Sequence, residues 1–401
     1  MKFKAKRVPL AHVINMLSHA VVAKQKNPSD TAGYVRVGLE KAGINLSVSR
    51  HDLFVKAIID VEAVQKSILT SEEEGMAVLE GGVLAAFLSR LKEAELEVEF
   101  KKAPAAEKSE DEEAGPTEVG RLSWTYRGSK GKKSSSFPCI EMPITEPDLF
   151  SLPVKVTMLG NDFASMVRLV GVATGDASEN DKYTCALVRV GDRVEMVTAN
   201  GQQLGWAKCD GEISSPMYCV VPYHLLQTAA KMFSSDGKIK MTTTDETPAR
   251  IVLMQDIVWS GEVIGKMIAR LSTTGEDFFK FDDKLKNLDF NAGCSINTQQ
   301  ARDAIDLMDI LDRARTTLVF DPEAKLIEFM KTDAHGEVSS EFPVDKVKGK
   351  RVQLDISSKH FKGAVDNATD SELELRFSGS RSMAMIKMSP NMTMYFMPFV
   401  D

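Results

Sequence analysis

Apolar residues recur with the period of an α-helix at six places along the chain. In the first of these, residues 9–24, Leu10, Val13 and Leu17 fall on one helical face. Five later segments have the same spacing and predict amphipathic helices over 81–93, 160–172, 222–233, 297–311 and 357–368. Asn297 and Ser357 directly precede two of these helices and are predicted N-caps, and Pro222 fits the first turn of another.

Most of the remaining chain alternates apolar and polar residues with a period of two. Residues 96–100, 193–197 and 373–377 are clear examples. A strand of this kind has one apolar face, so the pattern predicts antiparallel sheets that are covered on one side. The regular strand–helix–strand alternation of a parallel sheet is missing, and the predicted fold class is therefore α+β.

The six helices form three pairs with similar offsets, which predicts an internal triplication. A stretch with three prolines at 143–153 and a polar stretch at 282–291 are the predicted connectors. They divide the chain into three predicted domains of ordinary size, residues 1–150, 151–290 and 291–401. An acidic insertion at 103–120 in the first domain is expected to be a solvated hairpin tip.

Composition restricts the class of protein. The 401 residues include 50 Lys and Arg against 57 Asp and Glu, a formal net charge of −7. This balance argues against a uniformly basic nucleic-acid coat but permits a local basic surface, because salt screens charges over about 8–10 Å. Five cysteines without a Cys-x-x-Cys pair indicate reduced thiols. No apolar run approaches the roughly 18 residues of a membrane span, and the expected location is the cytoplasm.

The motifs predict no catalytic residue, metal site or cofactor. Residues 128–134 (GSKGKKS) have two residues between the glycines where a phosphate-binding loop has four, and are expected to form a basic hairpin loop. The six histidines lack metal-ligand spacing, and His12 and His19 are expected to be solvated on the first helix. Folding could still assemble a carboxylate pair or a Ser-based site, so an enzyme on a repeated α+β fold stays open as an alternative.

Each predicted helix has a cation at or near its end or outer face. A protein that holds duplex DNA without reading its sequence needs such cations directed at phosphates. The candidate DNA-binding residues are Lys24, Lys26, Arg90, Arg168, Lys231, Arg302, Lys359 and Lys362. Any amphipathic helix can carry Lys or Arg on its solvated face, so a protein-interaction scaffold without a DNA role is a second alternative.

Several short motifs occur in an order and spacing that resemble a known family. Residues 395–401 read YFMPFVD, residues 197–204 read VTANGQQL, and residues 220–222 (VVP) open a predicted helix. Together with the Met-Lys-Phe start, the Asp52-Leu53 strand end and the threefold repeat, these segments resemble the bacterial DNA sliding clamp, the DNA polymerase III beta subunit. The resemblance covers nearly the whole chain and indicates a divergent, non-enzymatic member.

The resemblance implies a ring. In the family, each chain folds into three domains with two helices packed on antiparallel sheets, and two chains close head to tail around duplex DNA. The ring tethers the DNA polymerase catalytic subunit, the clamp loader and other proteins that carry clamp-binding linear peptides. By this resemblance, the homodimer interface would include Leu307, Met308, Ile310 and Leu311.

The resemblance also implies a partner-peptide groove between the second and third domains. The matching positions are Tyr183, Ala199, Gly201, Gln202, Gln203, Leu204, Tyr395, Met397, Pro398 and Phe399. Two departures alter its polar rim. The family usually has Thr-Asp-Gly-His-Arg-Leu where this chain has ANGQQL at 199–204, and it ends Met-Pro-x-Arg-Leu where this chain ends MPFVD. The peptide preference is therefore expected to differ from that of the family.

Overall fold

The computed structural model describes residues 2–21, 33–40, 43–60, 71–73, 75–90, 95–102, 118–128, 131–140, 149, 151–175, 181–311 and 315–399. The chain divides into two compact units. Unit 1 comprises Met1–Phe163 and Leu225–Thr273, and unit 2 comprises Ala164–His224 and Thr274–Asp401. The division into three domains and the acidic insertion at 103–120 stay predictions, and the insertion falls almost entirely outside the described residues.

All six predicted helices form, and a short seventh is present among the described residues. Their bounds are α1 Arg7–Ser18, α2 Gly81–Arg90, α3 Gly160–Val170, α4 Tyr223–Met232, α5 Asp282–Lys286, α6 Thr298–Met308 and α7 Ser358–Asn367. The N-cap predictions are confirmed: the Asn297 side chain accepts from the N–H groups of Gln299 and Gln300, and Ser357 accepts from His360. Pro222 was placed wrongly, because it ends a strand and the helix begins at Tyr223.

The strands, numbered along the chain, are β1 Lys2–Lys6, β2 Tyr34–Glu40, β3 Gly43–Ser49, β4 Leu53–Asp60, β5 Ser71–Glu73, β6 Gly75–Glu80, β7 Glu95–Lys102, β8 Glu118–Gly128, β9 Gly131–Ile140, β10 Val156–Leu159, β11 Cys185–Val190, β12 Val194–Ala199, β13 Gln203–Cys209, β14 Glu212–Ile213, β15 Met217–Pro222, β16 Lys238–Thr243, β17 Ile251–Trp259, β18 Glu262–Leu271, β19 Ala292–Asn297, β20 Arg315–Asp321, β21 Leu326–Asp333, β22 Gly336–Pro343, β23 Asp345–Lys348, β24 Val352–Ser357, β25 Glu372–Phe377, β26 Ala384–Ser389 and β27 Met392–Phe396.

Unit 1 contains two antiparallel arrangements. One sheet has the order β5-β1-β7-β8-β9, and the other runs β10-β16-β17-β18-β4-β3-β2-β6 within the unit. Helices α1 and α2 contact each other, with Leu10, Leu17, Leu84 and Leu88 buried. His12 differs from its prediction, since it is half-buried and its ring lies 5.3 Å from that of Trp259. An imidazole has an apolar body that gains from such ring contact.

Unit 2 also contains two antiparallel sheets. The larger has the order β15-β11-β12-β13-β27-β26-β25-β19-β23, and the smaller has the order β22-β21-β20-β24. Four fully buried aromatic side chains, Phe320, Phe329, Phe361 and Phe377, fill its core. Burial of each such ring stabilises the fold by roughly 1.5–3 kcal/mol. The predicted α+β class with antiparallel sheets is confirmed in both units.

The cysteines agree with the expectation of reduced thiols. All five cysteines are buried, free thiols. Among the described residues, no helix combines the length and the apolar character that crossing a membrane requires.

Candidate functional site

Strand pairing in unit 2 brings the two motifs of the proposed groove side by side. Strand β13 pairs with β27, which places Gln203 opposite Phe396 and Leu204 opposite Tyr395. Beyond the strand, the Met397 N–H donates to the Gln202 carbonyl at 2.7 Å. Residues almost two hundred positions apart in sequence therefore form one continuous surface.

A tight turn at 200–203 shapes one end of this surface. The Asn200 side chain accepts from the N–H groups of Gln202 and Gln203 at 3.1 and 3.0 Å. Gly201 has a φ of +83°, and a Cβ there would lie 2.7 Å from the Tyr183 hydroxyl. The missing side chain thus lets Tyr183 approach the turn.

The floor of the groove is apolar. Ala199 and Leu204 are each 8% exposed and belong to one cluster with Cys185, Leu187, Val197 and Val220, and Tyr395 packs against it. Burial raises the pKa of the Tyr395 hydroxyl, which therefore stays protonated at neutral pH. The surface can accept apolar side chains and offers few charges to orient them.

An aromatic segment that the sequence argument missed forms a wall of the same cluster. Phe278 and Phe281 are buried in it, and Phe279 and Leu285 pack against it. The Phe279 ring lies 5.4 Å from that of Tyr183, and the Phe281 ring lies 5.7 Å from that of Trp206. Three phenylalanines in four residues directly before a polar stretch are the signal that could have revealed this wall.

The stretch 282–291, predicted to be a domain connector, begins with α5, and Asp282 of this helix binds Arg189 of the large sheet. Arg189 binds Asp282 through two hydrogen bonds of 2.8 and 3.2 Å and binds Glu195 at 2.6 Å. The hydrogen bonds that Arg189 donates to Asp282 raise the pKa of Arg189 despite its partial burial. Residues 282–286 thus form a helix that the pattern did not predict, and an ion pair and an aromatic cluster hold it; the role of 282–291 as a domain connector stays a prediction.

The C-terminal residues leave the large sheet and reach the small one. Pro398 is buried, and the Phe399 N–H donates to the Asp355 carbonyl of β24 at 2.9 Å. The Arg315 guanidinium lies 4.5 Å from the Phe399 ring centroid, a cation–π contact. Met397 remains 46% exposed between these anchors and is free to adapt to a bound side chain.

The two glutamines of the turn have different roles. Gln203 is 3% exposed and its amide donates to the Val172 carbonyl, whereas Gln202 is exposed. Only Gln202 is therefore available at the rim. All ten predicted groove residues are described, and the structure places them along one stretch of unit 2.

The predicted DNA-binding cations separate into two groups. Arg90, Arg168, Lys231 and Lys359 are exposed on their helices. Arg302 instead donates to the Val365 and Ala368 carbonyls at the end of α7, and Lys362 is bound to Asp306, with Asp309 and Asp366 nearby. Arg302 and Lys362 thus have structural roles, because a cation stabilises the free carbonyls at a helix end and reduces the repulsion within a carboxylate cluster. Lys24 and Lys26 lie outside the described residues.

The predicted dimer residues also separate by exposure. Leu307 and Ile310 are 39% and 70% exposed, whereas Met308 is fully buried and Leu311 is 8% exposed. Because Met308 faces the core below α6, its side chain is corrected from an interface residue to a core residue. Leu307 and Ile310 remain as the exposed apolar pair.

The described residues show no candidate metal centre, and two of the buried cysteines are unreactive. They contain no group of three or more His, Cys, Asp or Glu side chains that could hold a metal ion. Burial raises the pKa of the Cys185 thiol and raises that of Cys294 to about 12, so both stay protonated at neutral pH and are poor nucleophiles.

Comparison with solved structures identifies proteins that share this fold. The sequence matches no protein-family model, and a search of curated proteins gives no match. A DNA polymerase sliding clamp from Bacillus subtilis is 16% identical with a TM-score of 0.81, over all of this chain and 99% of that one. The DNA polymerase III beta chain from Streptococcus pneumoniae (13%, TM-score 0.79) and the beta subunit from Pseudomonas aeruginosa (14%, TM-score 0.78) match over both full lengths. The chain therefore has the fold of the bacterial sliding clamp, the DNA polymerase III beta subunit.

Proposed function

We propose that this protein is a non-enzymatic sliding clamp that encircles duplex DNA and tethers the replicative DNA polymerase. The observation that carries the proposal is the structural similarity to sliding clamps over the whole chain, at TM-scores up to 0.81. The low identity of 13–16% fits a divergent member. We further propose the three-domain division at 1–150, 151–290 and 291–401, and a location in the cytoplasm.

Enclosure explains how an acidic chain could work on DNA. A closed ring is retained by topology, so it needs only modest phosphate contacts, and a formal net charge of −7 favours sliding over tight binding. Arg90, Arg168, Lys231 and Lys359 are proposed to face the phosphates, because each is an exposed cation on a helix. Lys24 and Lys26 are proposed to join them.

Closure of the ring is proposed to require two chains. Leu307, near the end of α6, and Ile310, just after it, are the exposed apolar residues proposed for this interface, with Ile310 70% exposed. Exposed apolar groups of this kind commonly mark surfaces that associate. Pairing between chains would also cover sheet edges, which otherwise invite aggregation.

The groove of unit 2 is proposed to bind short linear peptides of the polymerase catalytic subunit, the clamp loader and other partners. Its apolar floor at Ala199 and Leu204, its aromatic wall and the adaptable Met397 suit apolar and aromatic anchors. The rim differs from that of the family because its only exposed turn amide is Gln202. The groove is therefore proposed to prefer peptides whose anchor side chains do not need a cationic rim.

The direct test combines imaging with a topological assay. The purified protein is imaged for a ring with a central hole, and its mass is compared with twice the 44.1 kDa chain. It is then incubated with linear plasmid DNA, onto whose ends a closed ring can thread, and the DNA is ligated into a circle and chromatographed at high salt, before and after the circle is cut once. Retention on the circle and release from the linear form are expected, because only a threaded ring distinguishes them.

A strictly monomeric particle, or equal retention on circular and linear DNA, would contradict enclosure. Peptide binding that persists in such a monomer would favour an interaction scaffold without a DNA role. Hydrolytic or transfer activity that maps to a titratable pocket would favour the enzyme alternative.

A further inference from the structure

A cavity of about 710 Å³ lies in unit 2 beside the first turns of α7 and next to the groove turn, because its lining residues Val172 and Thr174 accept hydrogen bonds from Gln203 and Asn200. Leu311 and Gly363 also line it. Ser358, Lys359 and His360, the first three residues of α7, also line it. These features make it a concave site of the size that small ligands occupy.

A buried lysine reaches the same cavity. Lys331 of β21 lines it and is only 4% exposed. Within the described part of the chain, its ammonium has no hydrogen-bond or ion-pair partner. Lysine is almost never buried this deeply without a paired charge, because removing an ammonium from water is costly. The buried stem of Lys331 therefore carries its ammonium to the cavity, where a ligand could accept a hydrogen bond from it.

The acidic side chains of the cavity share one lysine. Asp309 and Asp366 line it, and the Lys362 ammonium lies 3.7 and 3.6 Å from their carboxylates while it also binds Asp306. These carboxylates keep the site from being strongly basic. Lys331 and Lys359 remain as the ammonium groups that no described carboxylate neutralises.

The start of α7 adds backbone N–H groups, which are hydrogen-bond donors that suit an anion. The first N–H groups of a helix have no acceptor within the helix, and they favour anions. The Ser357 hydroxyl accepts from the N–H of His360, and the N–H of Lys359 belongs to the same first turn. Burial and the neighbouring Lys359 lower the pKa of His360, so its imidazole is neutral at pH 7 and can donate or accept one hydrogen bond.

We propose that this cavity binds a phosphoryl-type oxyanion, with Lys331 as the central cation and Lys359 and the first turn of α7 as supporting donors. The site goes beyond the proposed function, because it is a defined pocket for one anion and not a diffuse basic surface. Its ligand could be a free phosphate or a phosphate of the DNA backbone, which share the same chemistry. The experiment separates these two sources.

The first arm titrates the full-length protein with inorganic phosphate against matched chloride, by calorimetry. Wild type is expected to bind phosphate, and Lys331→Met is expected to lower the affinity about tenfold or more, because a charge-assisted hydrogen bond is lost. Lys331→Arg is expected to keep most of the binding. Lys350→Met is the matched control, since Lys350 is exposed in the same unit and does not line the cavity.

The second arm measures duplex DNA binding over a range of salt concentrations. If the ligand is a DNA phosphate, Lys331→Met should also lower the slope of log affinity against log salt by about one. An unchanged slope with lost phosphate binding would assign the site to a free anion. Both results support the site, and neither depends on whether the protein forms a ring.

Equal phosphate affinity in wild type, Lys331→Met and Lys350→Met, or no phosphate binding by wild type, would overturn the proposal. Replacing a buried ammonium by a side chain of similar length should not impair folding, and thermal unfolding checks this. If Lys331→Met were unfolded, Lys359→Met provides the test, because Lys359 is exposed. It should weaken phosphate binding several-fold, and no change would count against the site.

Discussion

The Arg189 guanidinium donates two hydrogen bonds, of 2.8 and 3.2 Å, to the Asp282 carboxylate. This ion pair holds the aromatic wall of the groove in place. Arg189 also lies 5.7 Å from the ring of Phe281, which is the residue before α5. The planar fork of arginine suits a carboxylate and an aromatic face together. One side chain of β11 thus holds both the helix and the ring that precedes it.

Breaking the Arg189–Asp282 pair should make the aromatic wall more mobile and leave the apolar floor of the groove unchanged. We expect Asp282→Asn to weaken binding of an apolar linear peptide several-fold and to lower the unfolding free energy by about 1 kcal/mol or less, because the pair is partly exposed. Trp206 fluorescence should shift as well, since its ring packs on Phe281. Peptide titration and urea unfolding measure these effects.

Asp283→Asn is the matched control, because Asp283 is the exposed neighbour on the same short helix. It should leave peptide affinity and Trp206 emission unchanged. Equal behaviour of the two variants would refute a positioning role for the ion pair. Failure of the wild type to bind any peptide would count against the groove itself.

Two arginines predicted together as DNA contacts should behave differently. Arg302→Met is expected to lower the unfolding free energy by about 1 kcal/mol or more, because the Val365 and Ala368 carbonyls lose their donor. Arg168→Met should change stability by less than about 0.5 kcal/mol but weaken DNA binding, since Arg168 is exposed. Denaturant unfolding and salt-dependent DNA titration distinguish the two. The reverse pattern would show that the assignment of roles is mistaken.

An aspartate at the exposed end of α6 should separate the proposed dimer. Ile310→Asp is expected to raise the dimer dissociation constant by at least about tenfold, because a charge would be desolvated against an apolar partner. Val258→Asp is the control, since Val258 is 47% exposed in unit 1 and lies outside the predicted interface. Analytical ultracentrifugation measures both. Loss of the dimer in the control alone would place the interface elsewhere.

Stability should fall in mild acid through two histidines. Burial lowers the pKa of His12 and of His360, and Lys359 lowers that of His360 further. The unfolded chain therefore binds more protons, so this contribution is complete above the unfolded pKa of about 6.5 and is lost as pH falls through the lower folded-state value. The loss in unfolding free energy between about pH 7.5 and 5.5 should be smaller in the His12→Gln, His360→Gln double variant.

His335→Gln serves as the control for that series, because His335 is exposed. Chemical unfolding at each pH gives the free energies. If the double variant lost as much stability in acid as the wild type, carboxylates and not these imidazoles would control the response.

Local pattern was sufficient for the helices, and the family resemblance supplied the groove motifs, but neither located the aromatic wall. The helical spacing located all six long helices, and the N-caps at Asn297 and Ser357 follow from side chains that bond within three residues. The α5 segment was missed because its five residues have no apolar period of their own. Its helix depends on Arg189, which lies 93 residues away in sequence.

The sequence by itself determined the α+β class and the antiparallel strands, because periodicity and capping act over a few residues, and its resemblance to a known family pointed to the two motifs that pair in unit 2. Only the tertiary structure decided which side of a helix faces the core, and this buried Met308 and left Ile310 exposed. It also decided which cations are already bound, as Arg302 and Lys362 are, and which lysine is left without a partner. Burial and charge pairing are properties of neighbours in space, and a linear pattern does not record them.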